Sequence, residues 1–493
     1  MLHEDKILVG KSEEKEEFLE LRLANRHGLV TGATGTGKTV TLQTLAEGFS
    51  DAGVAVFASD IKGDLSGIAA VGEPKPFVKK RIEELGIAGY TNKAYPTVFW
   101  DVMGEKGHPI RATVNDMGPL LLGRMLELNE VQEGVLTLAS RVASDEKRPL
   151  DDLADLRAVV NNIAERGKEL TTQYGNVATA SVGAIQRRIL VLEEQGAGHF
   201  FGLPALDIKD FVRTAPDGRG IVNILAADKL MEKPRLYAVF LLWMLSKLWQ
   251  TLPEVGDQPK PKLVFFFDEA HLLFTDAPKP LLERIEQIAR LVRSKGVGVY
   301  FVTQNPMDVP STVSAQLGNR VQHALRAFTP QEQKAVETAA KTFRQNPDLD
   351  TAEAIKELKV GEALVSFLEN KGEPSMVQRV LICPPQARIG PLTDEERRGC
   401  IEYSPVFGKY EDRQERDSAK EMLGKRQASD EAQEANTGGG WWGTVLGGSK
   451  NPRTGRYNQG IGEMMMKDMQ RTASRTAATM IKNIILKAMG IKR

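Results

Sequence analysis

Residues 32–39 read Gly-Ala-Thr-Gly-Thr-Gly-Lys-Thr, which is the G-x-x-x-x-G-K-S/T pattern of a phosphate-binding loop. An apolar, strand-like segment at 28–31 precedes the loop, and a helical pattern at 38–50 follows it. Glycines let a backbone wrap closely around phosphate oxygens, and the N-terminal end of the helix adds a positive dipole. The stretch therefore predicts a nucleotide-binding site in the strand–loop–helix context that the motif requires.

The side chains at the end of the loop have separate expected roles. Lys38 should reach the β- and γ-phosphates of ATP, and the hydroxyl of Thr39 should bind Mg²⁺. ATP and Mg²⁺ are therefore the ligands that this motif predicts. The full set of predicted nucleotide contacts is Gly32, Ala33, Thr34, Gly35, Thr36, Gly37, Lys38, Thr39 and Thr41.

Two adjacent carboxylates follow an apolar run at 263–267, which reads Leu-Val-Phe-Phe-Phe. The run predicts a buried strand, and Asp268 and Glu269 stand at its end. We expect Asp268 to hold Mg²⁺ together with Thr39, and Glu269 to act as the general base that polarises the attacking water. The pair therefore favours nucleotide hydrolysis over nucleotide binding alone.

A second predicted strand, at 297–303, ends in a polar residue, Gln304. An amide at this position can sense whether a γ-phosphate is present, although a polar residue is also ordinary where a strand meets a loop. The helical segment before this strand carries Arg284, Arg290 and Arg293. These arginines either complement the negative helix C-terminus or supply an arginine finger to a neighbouring subunit.

Strand-like and helical segments alternate along most of the chain, which predicts β-α-β units and a mostly parallel sheet. Helical spacing dominates between 112 and 212, and charge dominates beyond 387. The sequence therefore divides into a P-loop ATPase core (1–111 and 213–386), a helical insertion (112–212), a charged linker (387–440) and a Gly/Trp-containing basic amphipathic tail (441–493).

Composition excludes several classes of protein. The 65 basic and 65 acidic side chains give a net charge of zero, which argues against a histone-like coat on nucleic acid. The two cysteines are too few for a disulfide framework. The longest apolar run, 236–245, is too short to span a bilayer. With no secretory signal at the start, these features predict a cytoplasmic protein without an integral membrane segment.

The charge is uneven along the chain. Residues 441–493 hold ten basic and two acidic side chains, a net charge of +8. Apolar positions recur every three or four residues between 464 and 489, which predicts one helical stripe. The tail could anchor DNA phosphates, attach the protein peripherally to a membrane surface, or pack on its own ring or a partner.

Taken together, these motifs resemble the HerA/FtsK branch of P-loop ATPases, and within it the bacterial HerA-like group of YjgR-type proteins. The resemblance covers roughly residues 5–385. It rests on four segments in this order and spacing, namely 26–39, 59–65, 268–271 and 303–306.

The resemblance implies a RecA-like core that assembles as a hexameric ring, with ATP between subunits and DNA in the central pore. It places an arginine finger eleven residues before the sensor glutamine, at Arg293, with Arg290 as the second candidate. It also places an acidic residue near the nucleotide, at Asp60. HerA proteins carry an N-terminal β-barrel that docks a nuclease, and the 28 or so residues before the loop are too few for it. We therefore do not expect that nuclease partner.

Three functions are compatible with these observations. The leading one is an ATP-driven ring motor that translocates on DNA or remodels it. A second is a nucleotide-switched assembly ATPase with a protein client. A third is a membrane-associated motor of the secretion or conjugation type.

Overall fold

A computed structural model describes residues 2–13, 15–167, 169–170, 178–275 and 279–426. Its main sheet has thirteen strands within this part of the chain. Together with a separate two-stranded hairpin formed by β13 and β14, the strands are β1 (Leu2–His3), β2 (Lys6–Lys11), β3 (Glu16–Glu20), β4 (Gly28–Thr31), β5 (Ala55–Asp60), β6 (Thr97–Asp101), β7 (His108–Pro109), β8 (Val222–Ala226), β9 (Leu263–Phe267), β10 (Val297–Thr303), β11 (Asn319–Gln322), β12 (Glu362–Ser366), β13 (Leu368–Glu369), β14 (Glu373–Pro374) and β15 (Gln378–Ile382).

The longer helices lie between these strands and at the end of the described chain. They are α1 (Lys38–Asp51), α2 (Pro76–Leu85), α3 (Val114–Met125), α4 (Glu130–Asp145), α5 (Leu153–Glu165), α6 (Thr179–Leu192), α7 (Pro234–Thr251), α8 (Lys279–Ser294), α9 (Pro330–Lys341), α10 (Thr351–Glu357) and α11 (Asp394–Glu402). Shorter helical turns cover Leu21–Arg26, Asp64–Ala69, Glu193–Ala197, Gly198–Phe200, Ile208–Val212, Asp228–Met231, His271–Phe274, Pro306–Asp308 and Ser311–Ser314.

The middle of the sheet is parallel, in the order β11-β4-β10-β9-β5-β8-β6. Every residue of β9 and β10 is buried, as expected when helices cover both faces of a parallel sheet. The prediction of a mostly parallel α/β sheet is therefore confirmed. Because β4, β10 and β9 are neighbours and run the same way, their carboxyl ends meet at one edge.

An antiparallel flank extends the sheet beyond β11. Strand β12 pairs with β11 and β15, and β15 pairs with the N-terminal strand β2. The sequence patterns described above do not indicate the pairing of β15 with β2. That pairing joins segments about 370 residues apart, which short-range patterns cannot predict.

The predicted insertion at 112–212 contains α3, α4, α5 and α6, which pack against one another. Helix α3 also contacts α7 of the core, and residues 1–419 form one compact unit. In the described part of this region, the extended pairing consists of two isolated bridges, one between Ala112 and Phe201 and one between Leu203 and Gln414. These helices are joined closely to the core.

The segment from 387 to 419, which the sequence assigns to a charged linker, is folded onto the core. Tyr410 is fully buried beside Trp100, and its carbonyl accepts a hydrogen bond from Arg111. Arg416 pairs with Asp151 through two contacts of 2.6 and 2.7 Å. Charged residues dominate the composition of this segment, while a few aromatic and ion-paired groups attach it to the core. Composition alone does not distinguish such a folded segment from a linker.

The rest of the chain, 427–493, lies outside the described residues, and so do the predicted basic helix and its tryptophans. No helix in the described part is both long and apolar enough to cross a membrane.

Candidate active site

The loop at 32–39 joins β4 to α1 at the carboxyl edge of the parallel strands. Gly32, Gly35 and Gly37 have positive φ angles of 151°, 80° and 121°, which side chains rarely adopt. A Cβ on Gly32 would also lie 2.5 Å from the Cβ of His323. The loop therefore needs glycine at these positions for its path and for its close approach to β11.

The loop presents backbone donors to an anion. Within the described residues, the N–H groups of Thr34, Gly35, Gly37, Lys38 and Thr39 donate to no protein acceptor. Nothing lies within 4 Å of the Cβ position of Gly35, so the space over the loop is open. Consecutive inward-facing N–H groups at a helix N-terminus form an anion-binding concavity. These residues fit a nucleotide phosphate.

The ammonium group of Lys38 folds back over the loop. Its Nζ donates to the carbonyl oxygens of Gly32 and Ala33, at 2.6 and 3.0 Å. Burial lowers the pKa of Lys38, while the nearby charges of Glu269 and Asp268 raise it. Thr39 is exposed at the start of α1, where its hydroxyl is accessible to a metal ion.

A buried histidine beside the phosphate loop forms hydrogen bonds that support it. His323 Nδ1 lies 2.9 Å from the carbonyl oxygen of Glu362, and Nε2 lies 2.9 Å from the hydroxyl of Thr41. A carbonyl only accepts, so Nδ1 carries the proton and the Thr41 hydroxyl donates to Nε2. Gly361 adds a backbone hydrogen bond to the Thr36 carbonyl. The antiparallel strand β12 therefore holds the loop in position.

This geometry corrects one prediction. Thr41 was expected to contact the nucleotide, but its side chain is fully buried and its hydroxyl is bound to His323. The residue lies one turn into α1, on the face that packs against the sheet. It supports the loop from inside and cannot touch a ligand that lies over the loop.

We expect His323 to make stability depend on pH. Burial lowers its pKa to about 4, and the Lys38 charge acts in the same direction. The stabilisation from neutral His323 is therefore complete above about pH 6.5 and is lost as the pH falls toward 4. His323→Asn should be less stable than wild type at about pH 7.5, and the gap should narrow by about 2 kcal/mol at about pH 4.5. Urea unfolding at both pH values measures this, and an unchanged gap contradicts it.

The acidic pair lies at the end of β9, next to the loop. Burial, and secondly the charge of Glu269, raise the pKa of Asp268 to about 6. Its backbone N–H donates to Ser59 Oγ at 3.1 Å. Glu269 has a left-handed φ of 49°, a costly conformation for a side chain that strong local contacts must maintain. The acidic pair therefore lies beside the end of β5.

The Glu269 carboxylate, 6% exposed as a residue, is held by Gln304. Gln304 Nε2 donates to both carboxylate oxygens, at 3.1 and 3.3 Å. The Thr34 hydroxyl donates to Gln304 Oε1 at 3.4 Å. The phosphate loop, the strand-end amide and the second carboxylate are therefore joined in one chain of contacts, as the parallel arrangement of β4, β10 and β9 requires.

Two basic side chains near Glu269, Lys62 and His271, were given no role in the sequence interpretation. Lys62 Nζ lies 3.9 Å from Glu269 Oε1, and His271 Nδ1 lies 3.4 Å from Oε2. Lys62 belongs to the 59–65 segment and His271 to the 268–271 segment, both already singled out as motifs. His323 is different, because no sequence signal distinguishes it from the end of an ordinary strand.

The arginines of α8 lie at the opposite end of β10. Arg293 precedes β10, and its carbonyl accepts a hydrogen bond from Asn25 at 3.5 Å. Among the described residues, no carboxylate forms an ion pair with Arg293. Burial, then the Arg293 charge, lower the pKa of Arg26. Arg290 is paired with Glu286 on its own helix. The structure therefore does not bring Arg293 to the phosphate loop of its own chain.

Asp60 has a structural task. Its carboxylate accepts the backbone N–H groups of Gly63 and Leu65, at 2.8 and 3.2 Å. Burial raises its pKa to about 7. Both oxygens are thus used to close the turn after β5 that contains Lys62.

Comparison with known proteins places these features in context. The sequence model of the helicase HerA-like C-terminal family matches residues 5–493. The DNA double-strand break repair helicase HerA of Sulfolobus acidocaldarius is 21% identical over 365 residues, 73% of this chain and 65% of that protein. The chain therefore spans about two thirds of the length of this relative.

Two solved structures have similar folds. The unbound bacterial conjugative coupling protein TrwBΔN70 has a TM-score of 0.50 at 16% identity, covering 78% of this chain and 90% of that one. The plasmid coupling protein TrwB in complex with ADP and Mg²⁺ has a TM-score of 0.50 at 15% identity, covering 79% and 93%. At this level of identity the likeness establishes the RecA-like α/β fold.

Proposed function

The chain belongs to the HerA-like helicase C-terminal family, and from that premise we propose that it is an ATP-hydrolysing ring motor that translocates on DNA or remodels it. The observation that carries the proposal is the contact chain from Thr34 through Gln304 to Glu269. It links a group on the phosphate loop to a carboxylate suited to activating water. A protein that only bound nucleotide would not need this carboxylate.

The phosphate loop binds the triphosphate of ATP in this proposal. The backbone N–H groups of the loop and the ammonium group of Lys38 contact the phosphate oxygens, and Lys38 exchanges the carbonyls of Gly32 and Ala33 for them. Thr39 and Asp268 would hold Mg²⁺, which would supply positive charge to offset that of the β- and γ-phosphates.

Glu269 accepts a proton from the attacking water, and Gln304 orients the Glu269 carboxylate. Because Gln304 Nε2 donates to both carboxylate oxygens, the carboxylate plane is fixed relative to the end of β10. The other end of the same amide accepts from Thr34. A change at the loop on loss of the γ-phosphate is therefore transmitted directly to the general base.

Arg293 acts on the neighbouring subunit of a homohexamer. Seven residues of β10 separate the region of Arg293 from Gln304, a distance of roughly 20 Å at 3.3 Å per residue. The guanidinium group therefore cannot reach its own phosphate loop. Within the described part of the chain it has no acidic partner, so it is available for a site formed between two copies of the chain.

Replacing Arg293 by alanine should lower kcat for ATP hydrolysis by about a thousandfold, because a finger stabilises charge only in the transition state. MgATP binding should change by only a few-fold. Arg290→Ala tests the second finger candidate: Arg290 is paired with Glu286 on the same helix, so its loss should leave kcat near the wild-type value. Mixing Arg293→Ala with Glu269→Gln subunits should restore part of the activity, because some interfaces then combine an intact Glu269 with an intact Arg293. Full turnover by a pure Arg293→Ala ring contradicts the assignment.

The DNA part of the proposal is tested by the ATPase rate of the full chain, sized by light scattering, with and without duplex and single-stranded DNA. We expect DNA to stimulate hydrolysis, and the stimulation to fall steeply as salt rises. Hydrolysis without stimulation favours the assembly ATPase with a protein client.

Recruitment to anionic vesicles that is lost on deleting 441–493 favours the membrane-associated motor, whereas no recruitment agrees with the predicted cytoplasmic location.

A further inference from the structure

A cavity opens beside the phosphate loop, on the flank away from Glu269 and Gln304. Its volume is about 320 Å³, and it is lined by Ala33 and Thr36 of the loop, by residues 324–328, and by Lys356. This volume lies at the lower end of the range for small-ligand sites, roughly 300–1,000 Å³. The cavity adjoins the loop, since Ala33 and Thr36 line it. The Ala33 N–H also donates to the Ala324 carbonyl at 2.8 Å, which joins the loop to the opposite wall.

The wall of this cavity carries an aromatic side chain with no structural task. Phe328 is 82% exposed. It precedes Thr329, which caps α9 in a reciprocal arrangement with Glu332. An apolar residue at this position often packs against the fourth residue of the helix, but that residue is Gln333. The ring therefore remains in solvent at a position where apolar burial normally secures a helix end.

The contacts of the loop set the direction in which a nucleotide would extend. Thr34 is joined to Gln304 and through it to Glu269, so the end of the triphosphate that is cleaved lies on the β10 flank. The α-phosphate and the nucleoside then extend toward the opposite flank, which is formed by the chain leaving β11. That flank is the one that contains the cavity.

We propose that this cavity is the nucleobase subsite of the ATP site, with the ring of Phe328 stacked on the base. The proposal rests on the proposed function, since it takes the phosphate positions from that site. Aromatic stacking accepts every base because each has a π-face. Arg326 lines the same cavity, and no carboxylate in the described part of the chain forms an ion pair with it. Its charge favours an anionic ligand at the mouth, whereas Lys356 is already paired with Glu353.

The test compares MgATP, MgGTP and magnesium tripolyphosphate as ligands of the full chain by titration calorimetry. Phe328→Ala should weaken ATP and GTP binding by about tenfold or more, and it should leave tripolyphosphate binding unchanged because that ligand has no base. Phe328→Trp should keep wild-type affinity. Val131→Ala, which removes another exposed apolar side chain from the insertion, is the control and should change nothing.

The outcomes separate this subsite from the proposed function. If Phe328→Ala binds ATP within about twofold of wild type, the subsite is wrong while the phosphate site stands. Equal losses for ATP and tripolyphosphate also overturn it, because they indicate damage to the loop. The failure lies in the proposed function if the wild-type chain binds neither ATP nor tripolyphosphate. The same holds if Lys38→Ala binds both ligands as tightly as wild type does.

Discussion

Replacing Glu269 by glutamine is expected to lower kcat for ATP hydrolysis by about a thousandfold, within the usual contribution of a general base. Glutamine has nearly the same shape and keeps an oxygen to accept the Gln304 amide, but it cannot take a proton from water. The Kd for MgATP should stay within a few-fold of wild type, because Glu269 contacts neither the loop backbone nor Lys38 directly. Phosphate release at saturating MgATP, together with equilibrium titration, measures both quantities.

Glu337→Gln is a matched control for this change. Glu337 is an exposed carboxylate on α9, and it lies outside the contact chain that joins the loop to Glu269. The control should keep wild-type kcat and Kd. Hydrolysis by Glu269→Gln at a rate within about threefold of wild type would show that another group activates the water.

Replacing Lys38 by alanine should weaken MgATP binding by about a hundredfold, and hydrolysis should become undetectable. Hydrogen bonds to charged groups contribute about 1.5–3 kcal/mol each, and Lys38 is the cation that the loop itself carries. In the described part of the chain its ammonium group donates to the carbonyls of Gly32 and Ala33. Its charge is therefore ready to move onto a phosphate.

Two measurements keep the Lys38 result interpretable. Thermal unfolding should show little loss of stability, because the lost contacts lie within a loop that the buried residues below it support. Lys79→Ala removes an exposed lysine from α2 and should bind MgATP as wild type does. Wild-type affinity of Lys38→Ala for MgATP would show that the loop is not part of the nucleotide-binding site.

The part of the site that the sequence predicts depends on one rule of parallel sheets. The motif at 32–39, the acidic pair and Gln304 each follow an apolar run, so their meeting at one edge follows once the strands are parallel neighbours. The contacts among Thr34, Gln304 and Glu269 agree with this expectation. The uninterrupted apolar run at 263–267 was the signal that β9 is buried.

Features that depend on distant segments could not be predicted in the same way. Strand β11 ends at Gln322, and the next residue, His323, forms hydrogen bonds with the Thr41 hydroxyl and the Glu362 carbonyl. The β-branched and apolar residues around this point do not reveal these contacts. Thr41 was misassigned for the same reason, since its partner lies 282 residues away.

The motor claim is tested most directly by displacement of a third strand from triplex DNA, because a protein that moves along duplex must remove the third strand. With the full chain and MgATP we predict displacement. We predict none with Glu269→Gln, or when a non-hydrolysable analogue replaces ATP. A wild-type chain that hydrolyses ATP under the same conditions, yet leaves the triplex intact, would contradict translocation on DNA.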